Sequence, residues 1–309
     1  MKTRFIFNPN SGRNRRRTWL AGSIRDFIAL RGLDADVAIT EGPGHATVLA
    51  EEAVRQECGI VVAVGGDGTM NEVAQALVGT RAALALVPCG SGNGLALHLG
   101  LPLATTAALH LAAGGEGRIA AIDTGVANGH PFFNAMGLGL DAEVSHRFNR
   151  LTRRGLPAYA RVAFGALRSL RGETYTITNG ATHETMDALL VAVANSDQYG
   201  NNARIAPGAR VDDGSLDLVA VRPVGLPGAC GLALRLFLGG FDRSAKVRRL
   251  RGPRFQISRR APGLIHTDGE THETDAMVVI EVRPRSLRLV VPARCAAVAA
   301  LPSPELQLT

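Results

Sequence analysis

The sequence predicts an α/β N-terminal domain followed by a β-rich, sandwich-like C-terminal domain. Three features carry that reading. Apolar strands alternate with helical stretches through the first part of the chain, Gly-rich segments follow the strands, and from about Ile119 strand-like segments dominate. The length of 309 residues also exceeds what one hydrophobic core comfortably serves, so two domains are expected.

Arg4–Phe7 reads as a short strand, and Thr18–Leu30 as a helix with Trp19, Leu20, Ile24, Phe27 and Ile28 at helical spacing. Val37–Thr40 is a second strand and Ala46–Glu57 a second helix. Ile60–Val64 is apolar throughout, as a buried strand is, and leads through a Gly-rich turn to a helix over Asn71–Val78. Ala83–Val87 is another strand, followed by a second Gly-rich loop. Later strands are expected at Ile119–Val126, Phe132–Met136, Thr174–Thr178, Ala188–Ala194, Leu216–Val221, Arg254–Ile257, Met277–Val282 and Leu287–Val291. Helices are expected at Ala142–Asn149, Ala158–Leu170 and Pro227–Leu238. The boundary falls near residue 125, giving domains 1–125 and 126–292, with the tail 293–309 expected to pack back on the first.

Composition narrows the function. With 46% hydrophobic and 20% charged residues the chain is not a disordered one. The formal charge of +7 attracts nucleic acid, an anionic membrane surface or a phosphate-bearing substrate alike. No aromatic stripe lies among the basic residues, which argues against a single-strand nucleic-acid platform, and nucleic acid is not expected as a partner. Cys58, Cys89, Cys230 and Cys295 form no C-x-x-C pair and read as reduced thiols of a cytoplasmic protein. No apolar leader or clean transmembrane stretch appears, since Pro102 interrupts Leu95–Ala113 and Arg235 interrupts Val224–Phe241; any membrane contact is expected to be peripheral.

Gly65-Gly66-Asp67-Gly68-Thr69 follows a strand and opens a helix, where outward N–H groups and the helix dipole suit a phosphate. Asp67 could hold Mg²⁺ through water, or simply cap the helix. Pro88-Cys89-Gly90-Ser91-Gly92-Asn93-Gly94 is a second such loop, and Asn8-Pro9-Asn10-Ser11-Gly12 ends the first strand in the same way. Loops at the carboxyl ends of neighbouring parallel strands point to one shared phosphate pocket. Asp268-Gly269-Glu270 places two carboxylates around a turn, which a plain β-turn also explains. Val211-Asp212-Asp213-Gly214-Ser215-Leu216-Asp217 is either another Asp-Gly turn or a loop for a hard cation.

Together these segments resemble the diacylglycerol kinase catalytic-domain family, which includes bacterial lipid kinases, sphingosine kinases and ceramide kinases. The resemblance spans nearly the whole chain, with NPNSG at 8–12, GGDGTMNE at 65–72, PCGSGN at 88–93, DDGSLD at 212–217 and DGE at 268–270 in family order. It implies a Rossmann-like first domain of the NAD-kinase and diacylglycerol-kinase type. The implied ATP-binding set is Asn8, Pro9, Asn10, Ser11, Gly12, Thr40, Gly65, Gly66, Asp67, Gly68, Thr69, Asn71, Glu72, Ser91 and Asn93. Asp67 and Asp123 resemble the acids that hold catalytic Mg²⁺ by way of water, and Asp268 and Glu270 the pair at the acceptor hydroxyl. Arg210 and Ser215 carbonyls with Asp213 resemble a structural Mg²⁺ loop. Where many members read G-T-x-N-D, this chain reads Gly90-Ser91-Gly92-Asn93-Gly94, so the water-linked metal site lacks one acid.

The resemblance thus implies an ATP- and Mg²⁺-dependent kinase acting on a membrane lipid from the inner face of the membrane, with a homodimer left open. Apolar residues Phe132, Phe133, Met136, Leu138 and Leu140 are candidates for an acyl-chain slot, though a plain hydrophobic core better accounts for most of them. Arg147, Arg150, Arg153 and Arg154, or Lys246–Arg251, are candidates for headgroup contact or merely a solvated surface. The alternatives are a soluble-substrate kinase like NAD kinase, which also carries GGDGT, and a non-catalytic nucleotide-binding protein.

Overall fold

The computed structural model describes residues 1–115, 117–151, 161–162, 165–166 and 172–299. The first part builds a parallel sheet from β1 (Thr3–Phe7), β2 (Ala35–Ile39), β3 (Ile60–Gly65) and β4 (Ala83–Pro88), in the spatial order β2-β1-β3-β4. β1, β3 and β4 are buried along their whole length, which explains the unbroken apolar runs of β3 and β4. Helices α1 (Leu20–Arg31) and α2 (His45–Arg55) pack on opposite faces. α1 buries Leu20, Ala21, Ile24 and Ile28, a stripe at helical period. α3 (Asp67–Leu77) starts at the acid itself, four residues before the apolar pattern becomes readable. Short α4 (Gly94–His98) packs on the α2 side and α5 (Thr105–Ala112) on the α1 side.

Two long strands tie the halves together. β5 (Gly117–Ala127) and β16 (Met277–Pro292) run antiparallel, paired from Ile280↔Ala127 to Pro292↔Gly117, with a register shift between Arg283 and Leu287. One end of β16 continues the first sheet beside β4, through Arg288↔Ala83 and Leu289↔Leu84. Its other end pairs with β13 (Arg254–Ser258), which leads to β8 (Glu173–Asn179) and β9 (Thr182–Ala188). β6 (His130–Phe132) joins the same sheet through β5. The change from parallel to antiparallel pairing therefore happens inside continuous strands. The two segments expected at 277–282 and 287–291 are halves of one strand.

A second sheet of antiparallel strands has the order β12-β11-β10-β7-β14-β15. Its members are β7 (Ala135–Gly139), β10 (Leu190–Ala194), β11 (Leu216–Val221), β12 (Val247–Gly252), β14 (Gly263–Thr267) and β15 (Glu270–Thr274). Met136, Leu138, Val191, Val193, Leu218 and Ile265 on its inner face meet Tyr175, Phe255, Ile257 and Ile280 of the first sheet, as a sandwich requires. On its outer face lie α6 (Leu140–Asn149) and α7 (Leu226–Leu238).

Segments β9 and β12 escape a sequence reading because exposed polar residues interleave them; Lys246–Arg251, read as a basic patch, is mostly a strand. The helix expected at Ala158–Leu170 falls mostly outside the described residues, as do Arg153 and Arg154. In the tail, Val298 is buried against the first core, and Arg118 donates to the carbonyls of Ala293, Cys295, Val298 and Ala299. Residues 300–309 lie outside the described residues.

Candidate active site

The three N-terminal loops meet at the carboxyl ends of β1, β3 and β4, and they meet backbone to backbone. A β-carbon on Gly90 would lie 2.7 Å from the Cα of Gly66, and one on Gly12 would lie 2.3 Å from the Cys89 carbonyl oxygen. Glycine is required here for loop to pack on loop. Side chains lock the arrangement. Ser11 Oγ accepts the Gly66 N–H at 2.7 Å, Asn8 Nδ2 donates to Thr69 Oγ1 at 2.9 Å, and Asn8 Oδ1 accepts the Asn10 N–H at 2.9 Å. Asn93 braces its own loop through Gly90, accepting its N–H at 3.0 Å and donating to its carbonyl at 3.1 Å.

Asp67 occupies the junction. Its two carboxylate oxygens accept the N–H groups of Asn93 and Gly94, both at 2.8 Å. Burial raises its pKa, opposed by those N–H donors. First-turn N–H groups of α3, such as those of Gly68 and Thr69, have no intrahelical acceptor. Gly68 and Ser91 are exposed at the mouth of the cradle. A cleft beside the first loop is lined by Pro9, Asn10, Asn14, Arg15 and Ile39.

Several residues of the expected nucleotide set have other partners. Glu72 caps α2, its carboxylate accepting the Ala46 N–H at 3.0 Å. Thr40 is buried and bonds through its N–H to the Phe7 carbonyl, holding the first two strand ends together. Asn71 is buried in α3, with its side-chain oxygen unpartnered among the described residues.

Asp123 is fully buried in β5 and shares no partner with Asp67. Its oxygens accept the N–H groups of Gly214 and Arg285, both at 2.7 Å. It thereby anchors the 211–215 turn and the register shift of β16. In that turn Asp213 accepts the Ser215 N–H at 3.0 Å and pairs with Arg251, while Arg210 turns its guanidinium to Asp212 at 3.0 Å. The Asp213 carboxylate that the resemblance places at a structural cation thus also meets the Arg251 guanidinium. Among the described residues no group of three or more His, Cys, Asp or Glu side chains could hold a metal ion. Asp67 alone fits a Mg²⁺ that arrives on phosphates, since that ion takes one or two carboxylates and fills its shell from phosphate and water.

The acidic pair at the second domain is split by its environment. Asp268 has φ 50° and a carboxylate that accepts three backbone N–H groups, from Phe133 at 2.6 Å and from Asn134 and Ala135 at 2.9 Å. Burial pushes its pKa up to about 6, against the pull of those donors. Glu270 is exposed at the start of β15. Paired with Thr267, Glu270 takes the inner sheet face that Ile265 also takes. His266 holds the turn between them, its Nδ1 accepting the Gly269 N–H at 3.3 Å, and Asn149 donates to the Gly269 carbonyl at 2.7 Å. Phe132, Phe133, Met136 and Leu138 are fully buried members of the cores; only Leu140 of the proposed acyl-chain set is half-buried.

The two acidic centres are neighbours through two residues. Gly94 gives its N–H to Asp67, and a β-carbon on Gly94 would come within 3.3 Å of Asn134 Nδ2 and 2.8 Å of the Tyr199 carbonyl oxygen. Asn134 in turn gives its N–H to Asp268. Tyr199 itself bonds to Asp141, which lies 3.1 Å from His266. Sequence reading passed over Asn134, Tyr199, His266 and fully buried Asn195, whose Nδ2 donates to the carbonyls of Asp123 and Phe133. For Asn195 and Tyr199 the signal is the polar run Asn195–Asn202 directly after an apolar strand.

Comparison with known proteins agrees with this architecture. Residues 2–127 match the family model of the diacylglycerol kinase catalytic domain, and residues 134–291 that of the YegS C-terminal NAD kinase beta sandwich-like domain. A Pseudomonas putida protein named probable lipid kinase YegS-like is 32% identical over 279 residues, covering 88% of this chain and 89% of its own. A Yersinia pestis protein of the same name is 32% identical over 194 residues, covering 60% and 65% respectively. Among solved structures, a diacylglycerol kinase from Bacillus anthracis superposes with a TM-score of 0.72 at 22% identity, covering 94% of this chain and 96% of that one. An NAD kinase from Archaeoglobus fulgidus in complex with ATP shares the fold with a TM-score of 0.51 at 12% identity. On the strength of both domain matches and the full-length relative, the chain belongs to the diacylglycerol kinase catalytic-domain family.

Proposed function

We propose that the protein is an ATP-dependent lipid kinase that transfers the γ-phosphoryl group to a hydroxyl of a membrane lipid. The observation that carries this reading is the chain of contacts from Asp67 through Gly94 and Asn134 to Asp268, which sets a phosphate cradle beside an acidic turn. Phosphoryl transfer demands mainly positioning and charge neutralisation, and a cradle of interlocked loops supplies the first.

In this reading the triphosphate lies against the mouth formed by Gly68, Ser91 and the first turn of α3. Mg²⁺, when bound with ATP, neutralises developing charge on the phosphates. Asp67 would hold it with lone pairs beyond the two that accept N–H groups. Its raised pKa means that the metal competes with a proton there. Glu270 is the carboxylate free to orient the acceptor hydroxyl and take its proton late in the reaction, and Asp268 holds the turn in place. With glycine at 94, Asp67 would be the one carboxylate that these two phosphate loops offer a metal.

We further infer that the enzyme works at the cytoplasmic face of the membrane without spanning it; no helix among the described residues is long and apolar enough to cross. The NAD-kinase-like alternative shares the fold, and one assay separates the two. Labelled ATP is incubated with total membrane lipid and, in parallel, with NAD. A labelled lipid and unlabelled NAD are expected; label in NAD alone refutes the proposal.

A further inference from the structure

Helix α7 is apolar around nearly its whole circumference, yet almost none of it is covered. A helix of that composition belongs in a core or against something apolar. Leu232, with Ala229 and Leu236 on the same side, packs it onto the outer face of the second sheet, beside Ala192, Ala194 and Val221. At 100° per residue, Leu226, Cys230, Leu234, Phe237 and Leu238 fall on the opposite side. Leu234 is 59% exposed and Leu238 76% exposed. Packing on the fold thus accounts for one stripe of the helix and leaves the other in water.

The surroundings of the stripe are basic. Asp242 is the only acid between Gly225 and Arg251. Arg248, Arg249 and Arg251 are paired with Glu184, Asp217 and Asp213, whereas Arg235, Arg243 and Lys246 project exposed around the helix end. An apolar stripe rimmed by cations matches the interface of an anionic leaflet, where side chains enter the acyl boundary and the rim meets phosphates. The same rim would repel itself across a two-fold axis, which argues against a second copy as occupant. Placement also fits. The Leu236 carbonyl accepts the Arg204 N–H at 2.8 Å, so α7 leans on the 197–206 loop, whose Tyr199 closes over Gly94.

From these observations we propose that α7 is the membrane-docking element of this protein, inserting Leu226, Leu234, Phe237 and Leu238 into the surface of an anionic bilayer. The proposal rests on the lipid-kinase reading for its biological sense, and its test does not. The full chain is sedimented with phosphatidylcholine vesicles, with and without phosphatidylglycerol. Wild type is expected to partition to the phosphatidylglycerol vesicles. The double variant Leu234→Glu/Leu238→Glu should partition at least about tenfold less, the scale of two exposed leucines leaving an apolar phase. Arg243→Glu/Lys246→Glu should lose the preference for phosphatidylglycerol. Thermal melting of both variants should match wild type, as should phosphorylation of membrane lipid dispersed in detergent micelles. Unchanged partition of the leucine variant overturns the proposal. So does a wild-type dimer that this variant dissociates, which would assign the stripe to a second copy. A wild type that phosphorylates no lipid in micelles defeats the kinase reading separately, while vesicle partition still decides the surface.

Discussion

Asp67 accepts the backbone N–H of Gly94 at 2.8 Å, so the acid of one phosphate loop fixes the position where the family pattern carries a second acid. The N–H groups of Asn93 and Gly94 hold Asp67 in place. The space beside Gly94 is taken by the Tyr199 carbonyl, 2.8 Å from where a β-carbon would sit.

Restoring the family acid should therefore fail. Gly94→Asp drives a side chain against backbone of the 197–202 loop, and overpacking of this kind costs about 1–3 kcal/mol. The expected outcome is a lower melting temperature with no gain in turnover, checked by thermal denaturation and a lipid phosphorylation assay.

Asp67→Asn should lower turnover by about 100-fold or more, the scale of removing an electrostatic or acid–base group. The loss should be accompanied by a weaker dependence on Mg²⁺ concentration, measured by titrating the metal at fixed ATP. A variant with normal metal dependence would place the ion elsewhere.

Burial raises the pKa of Asp67, so its titration falls above the ordinary carboxylate range. Protonation removes the charge that meets the metal. MgATP affinity is accordingly expected to weaken as pH falls through that range, and in Asp67→Asn this pH dependence should flatten. Isothermal titration across pH reads both.

Gly90→Ala tests the loop-to-loop contact. The added carbon meets the Gly66 Cα at 2.7 Å and Asn93 Oδ1 at 2.8 Å, and backbone cannot step aside as a flexible side chain can. A loss of about 1–3 kcal/mol in stability together with weaker ATP binding is expected. Weaker ATP binding at unchanged stability would mean that this glycine faces the ligand instead.

Much of the first domain is legible in the sequence because its physics is local. Ile60–Val64 has no polar interruption, since β3 is buried on both faces, and α1 repeats apolar residues at helical period. The Gly-rich loops are legible as punctuation between these elements. Less legible is what their residues do. Glu72 and Asn93 are expected as ligand contacts from their motifs, and the bracing bonds each also makes, to Ala46 and Gly90, are set by tertiary packing that no motif shows. Arg251 against Asp213 joins segments 38 residues apart, and no spacing rule announces it. Likewise Asp268 and Glu270 differ by two positions in sequence, yet a left-handed turn sets the carboxylate of one among three N–H donors and exposes the other.

That last division separates two variants. Asp268→Asn removes a carboxylate oxygen from a site where three N–H donors converge, leaving a buried donor unmatched at a cost of about 1–3 kcal/mol. It should lower the melting temperature as well as activity. Glu270→Gln changes an exposed side chain and should leave stability within about 0.5 kcal/mol of wild type.

Turnover of Glu270→Gln on extracted membrane lipid, measured beside its dissociation constant for MgATP, tests the central claim most directly. The cradle and the acidic turn belong to one reaction if nucleotide affinity stays within about twofold of wild type while turnover falls about 100-fold or more. Near-normal lipid phosphorylation in that variant would contradict the account.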